Sequence, residues 1–568
     1  MKNKIKILIL FVLLYFCSIQ AQVTQEWVAI YGDGVITTNI ANSIAVDNLG
    51  NVYVTGEGLS SDYMTIKYNF SGVQQWARRY NGLGNGTDVA NSVVVDNSGN
   101  VYVTGYSLGK GTDYDYATIK YNSAGDSIWV RTYNGPVNDY DYANSMAVDG
   151  SGNVYVTGRV HYGSSTYYDY ATIKYNSEGD LIWIRRFNGQ GNSGDEARSI
   201  AIDISGNVYV TGYSTAPGAN YDYATIKYNS AGDSIWVRRY NGQVNDNDYA
   251  NSMAVDYSGN VFVTGYSWGG GTNYDYATVK YNSSGVQQWV QRYNGPGNRQ
   301  DFANSISVDG LGNAFVTGVS YGNGTDSDYA TIKYNSSGIQ EWVQRYNGPG
   351  NGKDFARSMV LDGSGNAYVT GWSLGNGTYY DFATIKYSTV GIQEWVQRYN
   401  GNYHDGANAI AVDSSGNVYV TGNSMSGPPH FLYLYATIKY SPIVNIQPIS
   451  NEIPDKFKLS QNYPNPFNPV TKIKFALPAP LLRQTGLPPS PQGEGLGVRV
   501  VIYDILGREV AELVNEQLSP GNYEVEWNAD GFSSSVYYYK LIITDASTSL
   551  LKAGSTSFTE TKKMILLR

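Results

Sequence analysis

The chain has 568 residues, a formal net charge of −9 and no Lys/Arg-rich stripe, which argues against a nucleic-acid partner. Its single cysteine, Cys17, excludes an internal disulfide framework and a multi-cysteine zinc site. With 53 tyrosines and 64 glycines, the composition favours pleated, half-buried surfaces joined by tight turns, hence an all-β protein.

Residues 1–21 read as a secretory signal peptide. Lys2, Lys4 and Lys6 form a positive start, Ile7 to Phe16 an apolar core, and Ile19-Gln20-Ala21 a small-residue cleavage site. The apolar run is short of the roughly 20 residues a membrane span needs, so no transmembrane segment is expected in the mature chain.

Residues 22–441 carry eight copies of one unit of about 50 residues. V-x-V-T-G or A-x-V-T-G ends at Gly56, Gly105, Gly158, Gly212, Gly265, Gly318, Gly371 and Gly422. T-[IV]-K-Y ends in step at Tyr68, Tyr121, Tyr175, Tyr228, Tyr281, Tyr334, Tyr387 and Tyr440. Within 143–187 four runs stand out: A (143–149), B (154–158), C (171–175) and D (183–187). Gly/Asn/Ser turns separate A from B and C from D, and longer variable loops join B to C and D to the next A. Four antiparallel strands per repeat predict an eight-bladed β-propeller. The first run, EWVAIY (26–31), is a D strand without its A, B and C, and the last repeat ends after C at Tyr440. The N-terminal strand is therefore expected to complete the last blade and close the ring.

The repeated D-x-x-G-N-x-Y-V-T-G core resembles the bacterial secreted β-propeller repeat family, often called SBBP repeats. The family name implies seven blades, whereas this chain has eight copies.

Residues 442–456 read as a linker, and 457–568 break the repeat. Runs at 498–514, 521–529, 536–544 and 562–568 suggest a small antiparallel β-sandwich. Here Y-P-N-P-F-N-P (463–469), Y-D-I-L-G-R-E-V (503–510) and the final K-K-M-I-L-L-R resemble the type A C-terminal sorting domain of the type IX secretion system. That resemblance implies an immunoglobulin-like fold, the type IX export machinery as partner, and a secreted or outer-surface location reached through the periplasm. The Pro/Gly-rich stretch 480–497 reads as a disordered insertion.

Strand alternation places the D–A and B–C loops on one face of the disc, the natural recognition face. Aspartates recur there, before A (Asp141, Asp195, Asp248, Asp301, Asp354) and before C (Asp115, Asp169, Asp222, Asp275, Asp328, Asp381). They make either a ring of calcium or sugar sites or a set of loop-fixing hydrogen bonds, and their regular recurrence favours the second. No D-x-[DN]-x-[DN]-G loop is present, so calcium has no dedicated motif and no other cofactor is expected. The recurring Lys67, Lys120, Lys174 series and the recurring tryptophans (Trp27 through Trp395) read as structural. Irregular positions carry more functional weight. Trp268 and Trp372 fall in the expected B–C loops and have no counterparts. With Asp301 and Asp354 they are the candidate ligand contacts. His161, His404 and His430 do not form a metal motif, and Glu196 beside Asp195 is the nearest approach to an acid–base pair. The chain thus reads as an exported, non-enzymatic scaffold for a glycan or protein ligand. The alternative is a secreted carbohydrate-active enzyme using loop carboxylates.

Overall fold

A computed structural model of the chain describes residues 23–32, 39–163, 167–191, 193–216, 218, 220–401, 403–428, 430–442, 447–450, 452–478, 496–529, 532–544 and 558–567. The expected signal peptide lies outside them, as do 480–495 of the expected insertion.

Eight four-stranded antiparallel sheets account for the repeats. In blade 3 strand A is Tyr142–Val148, B is Val154–His161, C is Tyr168–Tyr175 and D is Leu181–Phe187, hydrogen-bonded in that order. A strands of successive blades touch all the way round, the first (Ile40–Val46) also meeting the last (Asp405–Val412). A therefore lines the axis and D the outer rim. The eighth sheet is Asp405–Val412, Val418–Met425, Tyr433–Pro442 and, from the other end of the repeats, Val23–Tyr31. That strand pairs antiparallel with Tyr433–Pro442, from Val23 opposite Pro442 to Tyr31 opposite Tyr435, as the missing D strand requires.

The repeated letters have local causes. The Thr of V-T-G meets the Thr of A-T-I-K-Y across B and C in all eight blades, for example Thr157 with Thr172 at 3.0 Å and Thr264 with Thr278 at 2.9 Å. Both hydroxyls are buried, so each satisfies the other. The next Gly is forced by sterics: a Cβ on Gly158 would sit 1.9 Å from the Tyr142 carbonyl oxygen. In the C–D turns, Gly232 has φ +85 and a Cβ there would lie 2.9 Å from the Trp183 indole, so both conformation and space select glycine.

Four side-chain links recur between a blade and the next. Asn144, the bulged residue of strand A, donates to the Ala197 carbonyl at 2.9 Å. Tyr170 donates its hydroxyl to the Ala224 carbonyl at 3.2 Å. Trp183 Nε1 and Lys174 Nζ share the Ser230 carbonyl at 3.3 and 3.1 Å. The outer tryptophans are thus packing residues, each wedged between a B-strand ring of its own blade and a C-strand ring of the next, as Trp236 is between Tyr209 and Tyr281. The ring-closing seam carries all four links: Asn408 to Ala41, Tyr435 to Met64, and Trp27 and Lys439 to Phe70.

The seam between blades 7 and 8 carries none of them among the described residues. Arg357 stands in the Asn place and Phe382 in the Tyr place. Lys386 turns to Glu394 at 2.8 Å. Trp395 packs against Tyr440 but finds no C–D turn beyond it, because blade 8 takes its D strand from the other end of the chain.

The C-terminal segment forms two further antiparallel sheets. One orders Gln447–Ser450, Gly521–Asn528, Val470–Leu477 and Lys458–Leu459. The other orders Glu509–Leu518, Leu496–Tyr503, Ser535–Thr544 and Phe558–Leu566. They share one apolar core that includes Phe467, Phe475, Val500, Trp527, Leu541 and Leu566, which makes a β-sandwich. Two boundaries differ from expectation. Gln447–Ser450, assigned to the linker, is an edge strand on Gly521–Asn528, and Leu496-Gly497, assigned to the insertion, begin a strand paired on both sides. In both places backbone pairing overrides composition. Among the described residues there is no α-helix, and no helix is long and apolar enough to cross a membrane.

Candidate ligand-binding surface

Strands B and C run further than the sequence patterns indicate. In blade 3 the pairing continues through Arg159 opposite Tyr170 to His161 opposite Tyr168. The same extension places Trp268 in the strand Val261–Gly269 and Trp372 in Ala367–Leu374, not in loops. The ladder continues because the aromatic and β-branched residues after V-T-G suit strands as well as loops.

The aspartate before strand A points inward. Asp301 is 0% exposed, and its carboxylate accepts the Gly295 N–H at 2.7 Å and the Tyr321 N–H at 3.1 Å. Asp354, also 0% exposed, accepts from Gly348 at 2.7 Å and Leu374 at 3.1 Å. Each ties its D–A loop to the end of strand B, and burial raises its pKa above the ordinary value. Neither carboxylate faces solvent, so the loop-fixing geometry occupies the two aspartates named as ligand contacts. Strand alternation turns the following residue outward, and Phe302 and Phe355 present the surface instead. The aspartates before strand C serve D strands: Asp275 pairs with Arg292 at 3.0 Å, Asp328 with Arg345 at 2.7 Å and Asp381 with Arg398 at 2.8 Å.

Asp195 and Glu196 do not converge. Asp195 is buried on backbone N–H groups of Gly189 and Thr215. Glu196 faces the other way, taking Arg159 at 2.8 Å, the Tyr213 hydroxyl at 2.8 Å and Arg198 at 3.3 Å. Among the described residues no group of three His, Cys, Asp or Glu side chains is arranged to hold a metal.

Aromatic rings gather where D–A and B–C loops meet. Two groups of seven contiguous rings stand out among the described residues, and one of them spans blades 7 and 8. Phe355 stacks on Trp372 with centroids 3.9 Å apart, and Trp372 meets Tyr380 edge-on at 4.5 Å. Tyr380 reaches His404 at 5.6 Å, His404 reaches Tyr379 at 4.6 Å, and Tyr379 lies 3.9 Å from Tyr403. Tyr403 closes on Phe431 at 5.3 Å. Tyr379 and Phe431 are each 44% exposed. Phe431 has φ +48, a conformation bulky side chains rarely adopt, and is held there with its ring outward. Trp268 belongs to the other group, across blades 4 to 6: it lies 5.0 Å from Tyr274, with Tyr266 and Phe302 beside it, and the contacts run on through Tyr249 to Tyr213 and Tyr221. No ring contact joins it to the Trp372 group among the described residues. Of the sequence candidates, only Trp372 lies in the group of blades 7 and 8. Tyr379, Tyr403, His404 and Phe431 were missed, because their loops have no repeat pattern from which to depart. His430 makes no ring contact in this group.

No curated protein sequence matches the chain. Among solved structures it is similar to a fungal alcohol oxidase of the AA5 family in complex with copper (12% identity, 84% of this chain and 96% of that one, TM-score 0.35). It is also similar to the β-propeller domain of the Trilobed protease from Pyrococcus furiosus (9% identity, 61% and 92%, TM-score 0.37). Both likenesses are distant. The β-propeller repeat model, SBBP, matches residues 26–63, 75–111, 128–159, 182–219, 235–272, 288–324, 341–377 and 394–428. One match falls on each of the eight repeats that build the ring, and the chain belongs to this β-propeller repeat family.

Proposed function

We propose that this propeller is an exported, non-enzymatic binding scaffold whose ligand is a glycan held on the aromatic surface of blades 7 and 8. One observation carries the reading: seven side-chain rings, from Phe355 to Phe431, run contiguously on the face built by the variable loops. Sugar rings present C–H faces that pack on aromatic faces, while tyrosine hydroxyls and imidazole nitrogens take sugar hydroxyls. The carboxylates beside these rings are committed, Asp354 and Asp405 to backbone N–H groups and Asp381 to Arg398, which favours binding over turnover.

The C-terminal sandwich is proposed to direct type IX export. The two motif stretches behind that reading are joined: Phe467 accepts from Leu567 and donates to Ile565, both at 3.0 Å, and Asn465 accepts from Ile565 at 3.0 Å. The signal peptide and the outer-surface location belong to the same proposal.

A glycan array probed with the full mature chain, with and without chelator, tests the binding reading. Retention of specific glycans that is reduced by Tyr379→Ala supports it. Silence across the array overturns it, and release of oligosaccharides overturns the non-enzymatic part. In a host with type IX export, a chain lacking 457–568 should remain inside the cell.

A further inference from the structure

The inner ring breaks its own rule twice. Six strands A place Asn at the bulge (Asn42, Asn91, Asn144, Asn251, Asn304, Asn408), and each donates to the next blade's Ala carbonyl at 2.8 to 3.0 Å. Blades 4 and 7 place Arg198 and Arg357 there instead, and both are exposed.

The two arginines sit in different chemistry. Arg198 is neutralised: Glu196 lies 3.3 Å away, its guanidinium stands over the Tyr213 ring at 5.2 Å, and it reaches Asn251 at 3.4 Å. In blade 7 the residue two places before the arginine is Phe355, not a glutamate. Arg357 has no ion pair and no hydrogen-bond acceptor among the described residues. The blade 7 carboxylates on this face are already engaged, Asp354 by backbone N–H groups and Asp381 by Arg398. The free charge also adjoins the aromatic surface: Phe355, two residues along the same strand, stacks on Trp372 at 3.9 Å.

We infer that the ligand of this surface is an acidic polysaccharide, with Arg357 receiving its anionic group while the rings from Phe355 onward pack on its sugars. The inference rests on the glycan reading above and adds the charge. A guanidinium offers a planar fork of donors suited to carboxylate or sulfate alike. A row of rings suits successive units of a polymer better than a single small anion.

The test is calorimetric titration of the full mature chain with polygalacturonate, dextran sulfate and neutral dextran, at low and high salt. Arg357→Asn and Arg198→Asn are compared with wild type. Asparagine already occupies this position in six blades, so both variants should fold, and thermal melts check that. The expected result is binding to at least one anionic polymer, weakened by salt and by at least about tenfold in Arg357→Asn, but by less than about twofold in Arg198→Asn. Preference between polygalacturonate and dextran sulfate then identifies carboxylate or sulfate as the group recognised. Unchanged anionic binding by Arg357→Asn, or equally tight binding of neutral dextran, overturns the acidic ligand but leaves the glycan reading standing. No binding to any of the three, with a silent array, overturns both.

Discussion

Asn408 donates its side-chain N–H to the carbonyl of Ala41 at 2.9 Å, joining the last strand A to the first across 367 residues of sequence. The seam where the chain ends meet is thus laced like its neighbours, and the seam that lacks the four recurring links among the described residues lies one blade earlier, between blades 7 and 8, where Gln397 donates to the Val23 carbonyl at 3.4 Å instead.

That contrast predicts a gain from one atom. Phe382→Tyr should place a hydroxyl toward the Ala436 carbonyl, as Tyr329 does toward Ala383 at 3.2 Å. Phe382 is 1% exposed, so the new bond forms away from water. We expect stabilisation of about 0.5–1.5 kcal/mol by denaturant titration, and a loss of similar size for Tyr435→Phe at the closing seam. A destabilised Phe382→Tyr variant would show that this seam lacks room for the bond.

Trp236 fills the gap between two blades and donates to the Ser283 carbonyl at 3.3 Å. Trp236→Ala should cost roughly 3–5 kcal/mol. Trp395→Ala should cost less by about 1 kcal/mol, since no indole bond is lost there. An unchanged melting curve for Trp236→Ala contradicts the packing role.

Acid should stabilise the ring between about pH 4 and pH 7. Burial, the leading cause, raises the pKa of Asp141 to about 7 and those of Asp169 and Asp222 to about 6, from 3.8. Through that window the folded state holds more protons than the unfolded chain, so stability falls as pH rises through the folded values. The A–B turn carboxylates Asp149 and Asp203 are shifted down by hydrogen bonds that outweigh burial, so their effect belongs to lower pH. The midpoint should be higher at pH 5 than at pH 8, with a shallower slope in Asp141→Asn. A midpoint that climbs from pH 5 to pH 8 would refute the assignment.

Phe431 separates binding from stability. Phe431→Gly removes a ring from the proposed surface and relieves a left-handed backbone conformation costing about 1 kcal/mol in a bulky residue. Glycan affinity should fall while the melting temperature holds or rises. If stability drops sharply, the ring is a packing element and not a ligand contact.

Much of this architecture was legible because eight copies print the same physics eight times. The Thr of V-T-G, its glycine and the turn glycines each answer a contact that recurs. The boundaries of B and C were less legible, since Tyr and Ser after V-T-G serve strand or loop equally, and that ambiguity put Trp268 and Trp372 in the wrong element. The substitutions at Arg357 and Phe382 are visible in the sequence as departures from pattern. Their meaning is not, because each partner lies a whole blade away. Tyr379, Tyr403 and Phe431 left no signal, for they meet only through the fold of three separate loops.

Because Val23–Tyr31 is the last strand of the last sheet, the molecule cannot be finished in the order in which it is made. A chain emerging from its N-terminus carries one orphaned strand until residues 433–442 arrive. A product cut short before them is left as an arc with an unsealed end.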